Sequence, residues 1–134
     1  MDFDISPVNG SDFVYGTIRY NEPVKVTITY DVYDEQLKNP VLGVAFFNIS
    51  GEYICGLNTL LDNVSIPWRY GRNTFSLVYP NGLCVLGGRY YFDCALIDQT
   101  ASVFIVHKKF IKEVAVDSGY KAEGMLVVPH QWGI

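Results

Sequence analysis

VKVTITYDVYDEQLKNPVLGVAFFNISGEYICGLN, residues 24–58, decides the fold. Val24, Val26, Ile28, Tyr30 and Val32 alternate with Lys25, Thr27, Thr29, Asp31 and Tyr33. A period of two predicts a strand with one buried and one wet face. After the polar turn that ends in Asn39-Pro40, residues 41–49 are almost unbroken apolar, the pattern of a strand covered on both sides. Pro40 sets its own φ and biases Asn39 toward extended geometry, which fixes where that strand starts. Its register follows from size: Leu42, Val44 and Phe46 belong in the core, because the alternate set holds Gly43 and Ala45. Phe47 is then left on the outer face beside two small residues. Ser50-Gly51 turns the chain into a third run ending at Gly56-Leu57-Asn58, and three strands joined this way form the middle of a β-sandwich.

Outward from this centre, residues 2–7 read as a first strand ending at the turn Asn9-Gly10, and residues 13–20 as a short edge or bulged strand containing Gly16. Leu57, Leu60, Leu61 and Val64 fall at helical spacing and predict a short helical turn capped by Asn58 or Thr59. Residues 74–79 form a strand with Phe75, Leu77 and Tyr79 on one side, and 83–88 is an apolar crossing. In the core strand 89–98, Tyr90, Phe92, Cys94 and Leu96 face inward and Tyr91, Asp93, Ala95 and Ile97 outward. A long strand over 102–116, broken near Lys108 and Lys109, and a closing strand within 119–134 complete the chain. The expected fold is all-β: one domain over 1–134, an immunoglobulin-like or jelly-roll-like antiparallel sandwich of about eight to ten strands. Gly87-Gly88 followed by Tyr90 suits the corner at which a tyrosine hydroxyl ties a loop to a strand in such folds.

Composition narrows the function. With 49% hydrophobic and 18% charged residues the chain is a folded type. A net charge of −4 speaks against a nucleic-acid partner, and the basic cluster His107-Lys108-Lys109 with Lys112 reads as an exposed strand face. Cys55, Cys84 and Cys94 form no Cys-x-x-Cys pair and read as free thiols of a reducing compartment. Asp2 and Asp4 directly after Met1 leave no room for a signal peptide, and no transmembrane run is present.

Catalysis finds few candidates. His107 and His130 lack a nucleophile elbow, no metal-ligand spacing occurs, and no phosphate-binding loop is present, so the expectation is no catalytic residue, no metal and no cofactor. A glycan-processing enzyme would need two converging carboxylates, for which Asp31 and Asp93 are candidates. Binding is better supplied. Ten tyrosines, eight phenylalanines and two tryptophans exceed the needs of one small core. Aromatic faces stack on the C–H side of sugar rings while polar neighbours take the hydroxyls. The outward sets give such a patch: Phe47, Tyr91, Asp93, His107 and Lys109, floored by Gly43, Ala45 and Ala95. Packing of this face on another subunit or on the terminal strand, in a structural dimerisation or adhesion domain, is the competing reading.

The segments 39–44, 51–59 and 83–90 and the ending Gly124-Met125-Leu126-Val127-Val128-Pro129-His130-Gln131-Trp132 together resemble the C-terminal domain of the ATP-binding subunit of O-antigen polysaccharide ABC transporters, the Wzt type. The resemblance spans nearly the whole chain. It implies an Ig-like sandwich that binds the non-reducing end of a finished O-polysaccharide as the specificity module of an exporter. It places that module in the cytoplasm, at the inner face of the inner membrane, with an ATPase domain and a membrane permease as partners. It further implies a homodimer in which the C-terminal strand is exchanged, here the segment 119–132. No short sugar-binding motif carries over residue by residue, so the candidate site rests on strand parity.

Overall fold

The alternating run of 24–58 does form adjacent strands, but in two different sheets. The computed structural model of the chain describes residues 1–9, 13, 16–117 and 119–133, and among them eight strands and no α-helix. Strands β1 (Asp2–Pro7), β3 (Val24–Val32) and β6 (Gly71–Tyr79) make a three-stranded sheet in that order. Strands β2 (Thr17–Ile18), β8 (Phe104–Val116), β7 (Gly88–Ile97), β4 (Val41–Asn48) and β5 (Tyr53–Asn58) make the second. All pairs are antiparallel except β2 on β8, where Thr17 and Ile18 run parallel to Ala115 and Val116. Of the segment expected as a strand over 13–20, Val14 and Tyr15 lie outside the described residues, as does Gly10 of the expected turn, and among the described ones Thr17 and Ile18 are strand. With β8, β7 and β4 as the central strands of one sheet and β3 between β1 and β6 in the other, the order is that of an immunoglobulin-like sandwich.

The core forms where the two inward sets meet. Val24, Val26, Ile28, Tyr30 and Val32 of β3 are all buried, as are Leu42, Val44 and Phe46 of β4 and Tyr90, Phe92, Cys94 and Leu96 of β7. Each such apolar side chain contributes about 1.5–3 kcal/mol on burial. Phe92 sits at the centre, its ring 5.2 Å from Phe3 and 5.3 Å from Phe46. Polar ties then fix the loops. The Tyr90 hydroxyl donates to the Leu86 carbonyl at 2.6 Å, making the tyrosine corner expected after Gly87-Gly88. Asn73, 1% exposed, accepts from the Arg69 N–H and donates to the Arg69 and Gly71 carbonyls, locking the loop before β6.

Two local expectations change. The segment after β5 is a run of turns and not a helix: Asn58 Oδ1 caps it by accepting the Leu61 N–H at 2.8 Å, but Leu60, Leu61 and Val64 stay exposed. Helical spacing without a face to bury does not sustain a helix this short. The segment expected as a closing strand makes only the isolated bridge between Val85 and Leu126, with Val127 N–H donating to the Cys84 carbonyl. Val127 is buried, but Pro129 offers no N–H to continue a ladder, and Trp132 is 92% exposed. The three thiols are free, and burial pushes Cys94 up to about 12.

Candidate functional site

The outer face of the five-stranded sheet has a floor of very small residues. Ala45 lies between Asp93 on β7 and Gly56 on β5, and Gly43 between Ala95 and Asn58. With little side chain above the sheet here, the flanking strands must supply any walls. Both do so through a β-bulge. On β5, Phe46 pairs with Cys55 but Phe47 pairs with Tyr53, so Ile54 is the extra residue and Tyr53 joins Gly56 on the outer face. The Tyr53 ring lies over Gly56, where a side chain would collide with it, and meets Phe47 edge-on at 5.0 Å. On β8, Leu96 pairs with Val106 but Ile97 with Phe104, so Ile105 is extra and Phe104 stacks on His107 at 4.4 Å.

Between these two aromatic walls runs an open groove of about 330 Å³, with Asp93 toward one end and Asn58 and Leu61 toward the other. A third irregularity closes the Asp93 end. Phe92 pairs with Lys112 and Cys94 with Lys108, so Asp93 alone stands opposite Lys109, Phe110 and Ile111. Phe110 takes a positive φ of 54°, and its N–H is accepted by Asp93 Oδ1 at 2.8 Å. The other carboxylate oxygen, Oδ2, stands 3.7 Å from His107 Nε2, beyond hydrogen-bond reach. The Asp93 side chain is only 13% exposed, so this oxygen is a nearly desolvated acceptor at the groove wall.

Of the residues expected from strand parity, Phe47, Asp93 and His107 line the groove together. Tyr91 pairs with Phe47 in register but turns its ring edge-on to Phe110 at 5.2 Å, beside the groove and not in it. Lys109 is exposed within the bulge, where it has no register partner on β7, and it does not line the groove. Parity also missed Tyr53 and Phe104, since each owes its position to a bulge, and the Phe110 N–H that binds Asp93. The carboxylates proposed for a glycan-processing enzyme face apart. Asp31 lies on the outside of the other sheet, bonded to Arg72 Nε at 3.2 Å. Among the described residues no cluster of three or more metal-ligating side chains occurs, and no helix is long and apolar enough to cross a membrane.

His130 belongs to a different cluster. Tyr20 packs on Tyr120 at 4.7 Å, and His130 shares a hydrogen bond of 3.3 Å with the Tyr120 hydroxyl within the C-terminal segment.

The family model described as the Wzt C-terminal domain matches residues 6–126. The crystal structure of the C-terminal domain of Wzt is similar over 99% of the present chain and 81% of its own length, with a TM-score of 0.79 and 17% sequence identity. That likeness bears on the fold. No curated protein sequence matches the chain.

Proposed function

Because the chain belongs to the Wzt C-terminal domain family, and so to a component of O-antigen ABC transporters, we propose that it is the non-catalytic module that binds the O-polysaccharide at its non-reducing end. The observation that carries this reading is the groove itself: two facing aromatic walls over a Gly/Ala floor, with a desolvated carboxylate oxygen at one end. A pyranose presents apolar C–H faces and a rim of hydroxyls. The walls suit the first and Asp93 Oδ2 the second. On an open face each sugar hydrogen bond replaces one to water and contributes about 0.5–1.5 kcal/mol, so affinity is modest and specificity comes from fit.

The module acts in the cytoplasm at the inner face of the inner membrane, joined to an ATPase domain that works with a membrane permease. The C-terminal segment supports a homodimer in which it crosses to a second copy: it is held in its own chain by the Tyr20–Tyr120 ring contact, the Val85–Leu126 bridge and buried Val127, while Met125, Leu126, Val128 and Trp132 are exposed. Sedimentation of the chain with and without residues 119–134 tests this, and an unchanged monomer in both refutes it. The binding reading is tested by titrating the producing strain's own O-polysaccharide into the folded domain by calorimetry and NMR. Shifts confined to β4, β5, β7 and β8 around the groove are expected, and a folded domain with no response overturns the proposal.

A further inference from the structure

The charge and polarity of the groove narrow what it accepts. Its walls carry Asp93 and no lysine or arginine among the described residues. Lys108, Lys109 and Lys112 lie on the same strand as His107, yet none of them lines it. The Asp93 carboxylate is nearly buried, with Oδ1 occupied by the Phe110 N–H and Oδ2 turned to the His107 side. A negatively charged ligand group entering here would meet the like charge of Asp93, with the His107 imidazole, 3.7 Å from Oδ2, as the one basic side chain among the described lining residues and no lysine or arginine beside it. Away from Asp93 the surface is mainly apolar: Ala45 and Ala95 below, the Phe104 and Tyr53 rings beside, Ile97 and Leu61 at the far end. At that end Asn58 spends its Oδ1 on the Leu61 N–H, which leaves its amide nitrogen, the Tyr53 hydroxyl and the His107 ring as the further polar side-chain groups of the lining.

Resting on the glycan-binding reading above, we infer that the groove takes an uncharged sugar unit with an apolar exocyclic substituent, a 6-deoxyhexose, and rejects uronic acids. The deoxy sugar places its methyl group on the Ala/Ile/Phe surface, where a hydroxymethyl would lose hydrogen bonds to water without replacement. One ring hydroxyl donates to Asp93 Oδ2, which a carboxylate-bearing sugar approaches only against repulsion.

The probes are methyl glycosides matched at the exocyclic carbon: fucose, galactose and galacturonic acid, with the corresponding gluco and manno series to cover ring stereochemistry. Amide NMR shifts of the groove residues report binding. In the series that binds, the order deoxy, then hydroxymethyl, then uronate is expected, the uronate weaker than the deoxy sugar by about tenfold or more. Asp93→Asn keeps an acceptor oxygen for the Phe110 N–H but removes the charge, and is expected to narrow the gap between deoxy sugar and uronate severalfold. A uronate binding as tightly as its deoxy counterpart in the wild-type chain overturns this inference and leaves the glycan reading intact. Silence from every series, together with silence from the O-polysaccharide, overturns both.

Discussion

Asp93 Oδ1 accepts the backbone N–H of Phe110 at 2.8 Å, so one carboxylate both holds the β8 bulge and presents its other oxygen to the groove. The bulge leaves three residues opposite one, and an unpaired amide there would be costly because the Asp93 side is nearly desolvated. Asp93→Ala is therefore expected to destabilise the domain by about 1–3 kcal/mol, while Asp93→Asn retains most of the stability. Denaturant unfolding of the two variants checks this; equal losses mean that the charge matters and the acceptor oxygen does not.

Phe104 and Tyr91 separate wall from surroundings. Phe104 is 59% exposed and stacked on His107, so Phe104→Ala should leave stability within about 0.5 kcal/mol of wild type. Glycan affinity should fall roughly 3- to 10-fold, the worth of one aromatic face. Tyr91→Ala, whose ring leans on Phe110 outside the groove, should weaken binding less. Titration of both variants with the same glycan decides, and a larger loss at Tyr91 moves the site toward the bulge.

Tyr90 and Tyr79 make the same chemical change give different results. Tyr90→Phe removes the donor to the Leu86 carbonyl and is expected to cost about 0.5–1.5 kcal/mol by loosening the corner before β7. The Tyr79 hydroxyl is buried without a hydrogen-bond partner, so Tyr79→Phe should be neutral or stabilising by up to about 1 kcal/mol. Thermal melts of the pair test the assignment, and a destabilised Tyr79→Phe would reveal a partner for that hydroxyl.

Gly56 gives a substitution that acts on the wall from the floor of the groove. A methyl group there pushes the Tyr53 ring off the sheet while the backbone stays in an ordinary strand conformation. Gly56→Ala should weaken glycan binding about as much as Tyr53→Ala while leaving the melting temperature little changed, since Tyr53 is 64% exposed. Binding and melting measured on both variants test the coupling, and full affinity in Gly56→Ala removes Tyr53 from the wall.

The sandwich and its inward faces were legible because burial imposes a strict period of two: every residue read as inward on β3, β4 and β7, from Val24 to Leu96, is buried. The floor was legible for the same reason, since Gly43, Ala45 and Ala95 lie in uninterrupted registers. The walls were not. Tyr53 and Phe104 reach the groove by one-residue bulges at Ile54 and Ile105, each of which reverses the parity that alternation assigns. Opposite Asp93 two extra residues keep the parity of the flanking ladder but leave Lys109 inside the bulge without a partner on β7. Ile54, Ile105 and Phe110 carry no glycine or proline to announce a bulge, so side-chain pattern alone does not show where the ladder slips.

Asp98 ties the turn between β7 and β8, the turn from which Phe104 emerges. Its Oδ1 accepts the N–H groups of Val103 at 2.9 Å and Ser102 at 2.6 Å, and Oδ2 accepts from the Thr100 hydroxyl. The backbone donors at Val103 and then Ser102 hold this carboxyl below its ordinary value of 3.8. A carboxyl depressed in the folded state favours folding above the unfolded-state value, and that contribution disappears as pH falls through the folded-state value. Wild type should therefore lose stability on acidification through this range, and Asp98→Ala should start lower at neutral pH and lose less on the way down. Asp98→Asn keeps the Oδ1 acceptor and should recover part of the neutral-pH stability without the acid-dependent part. Melting temperatures of the three proteins across that range test the linkage, and parallel curves for wild type and Asp98→Ala would assign the acid sensitivity to other carboxylates.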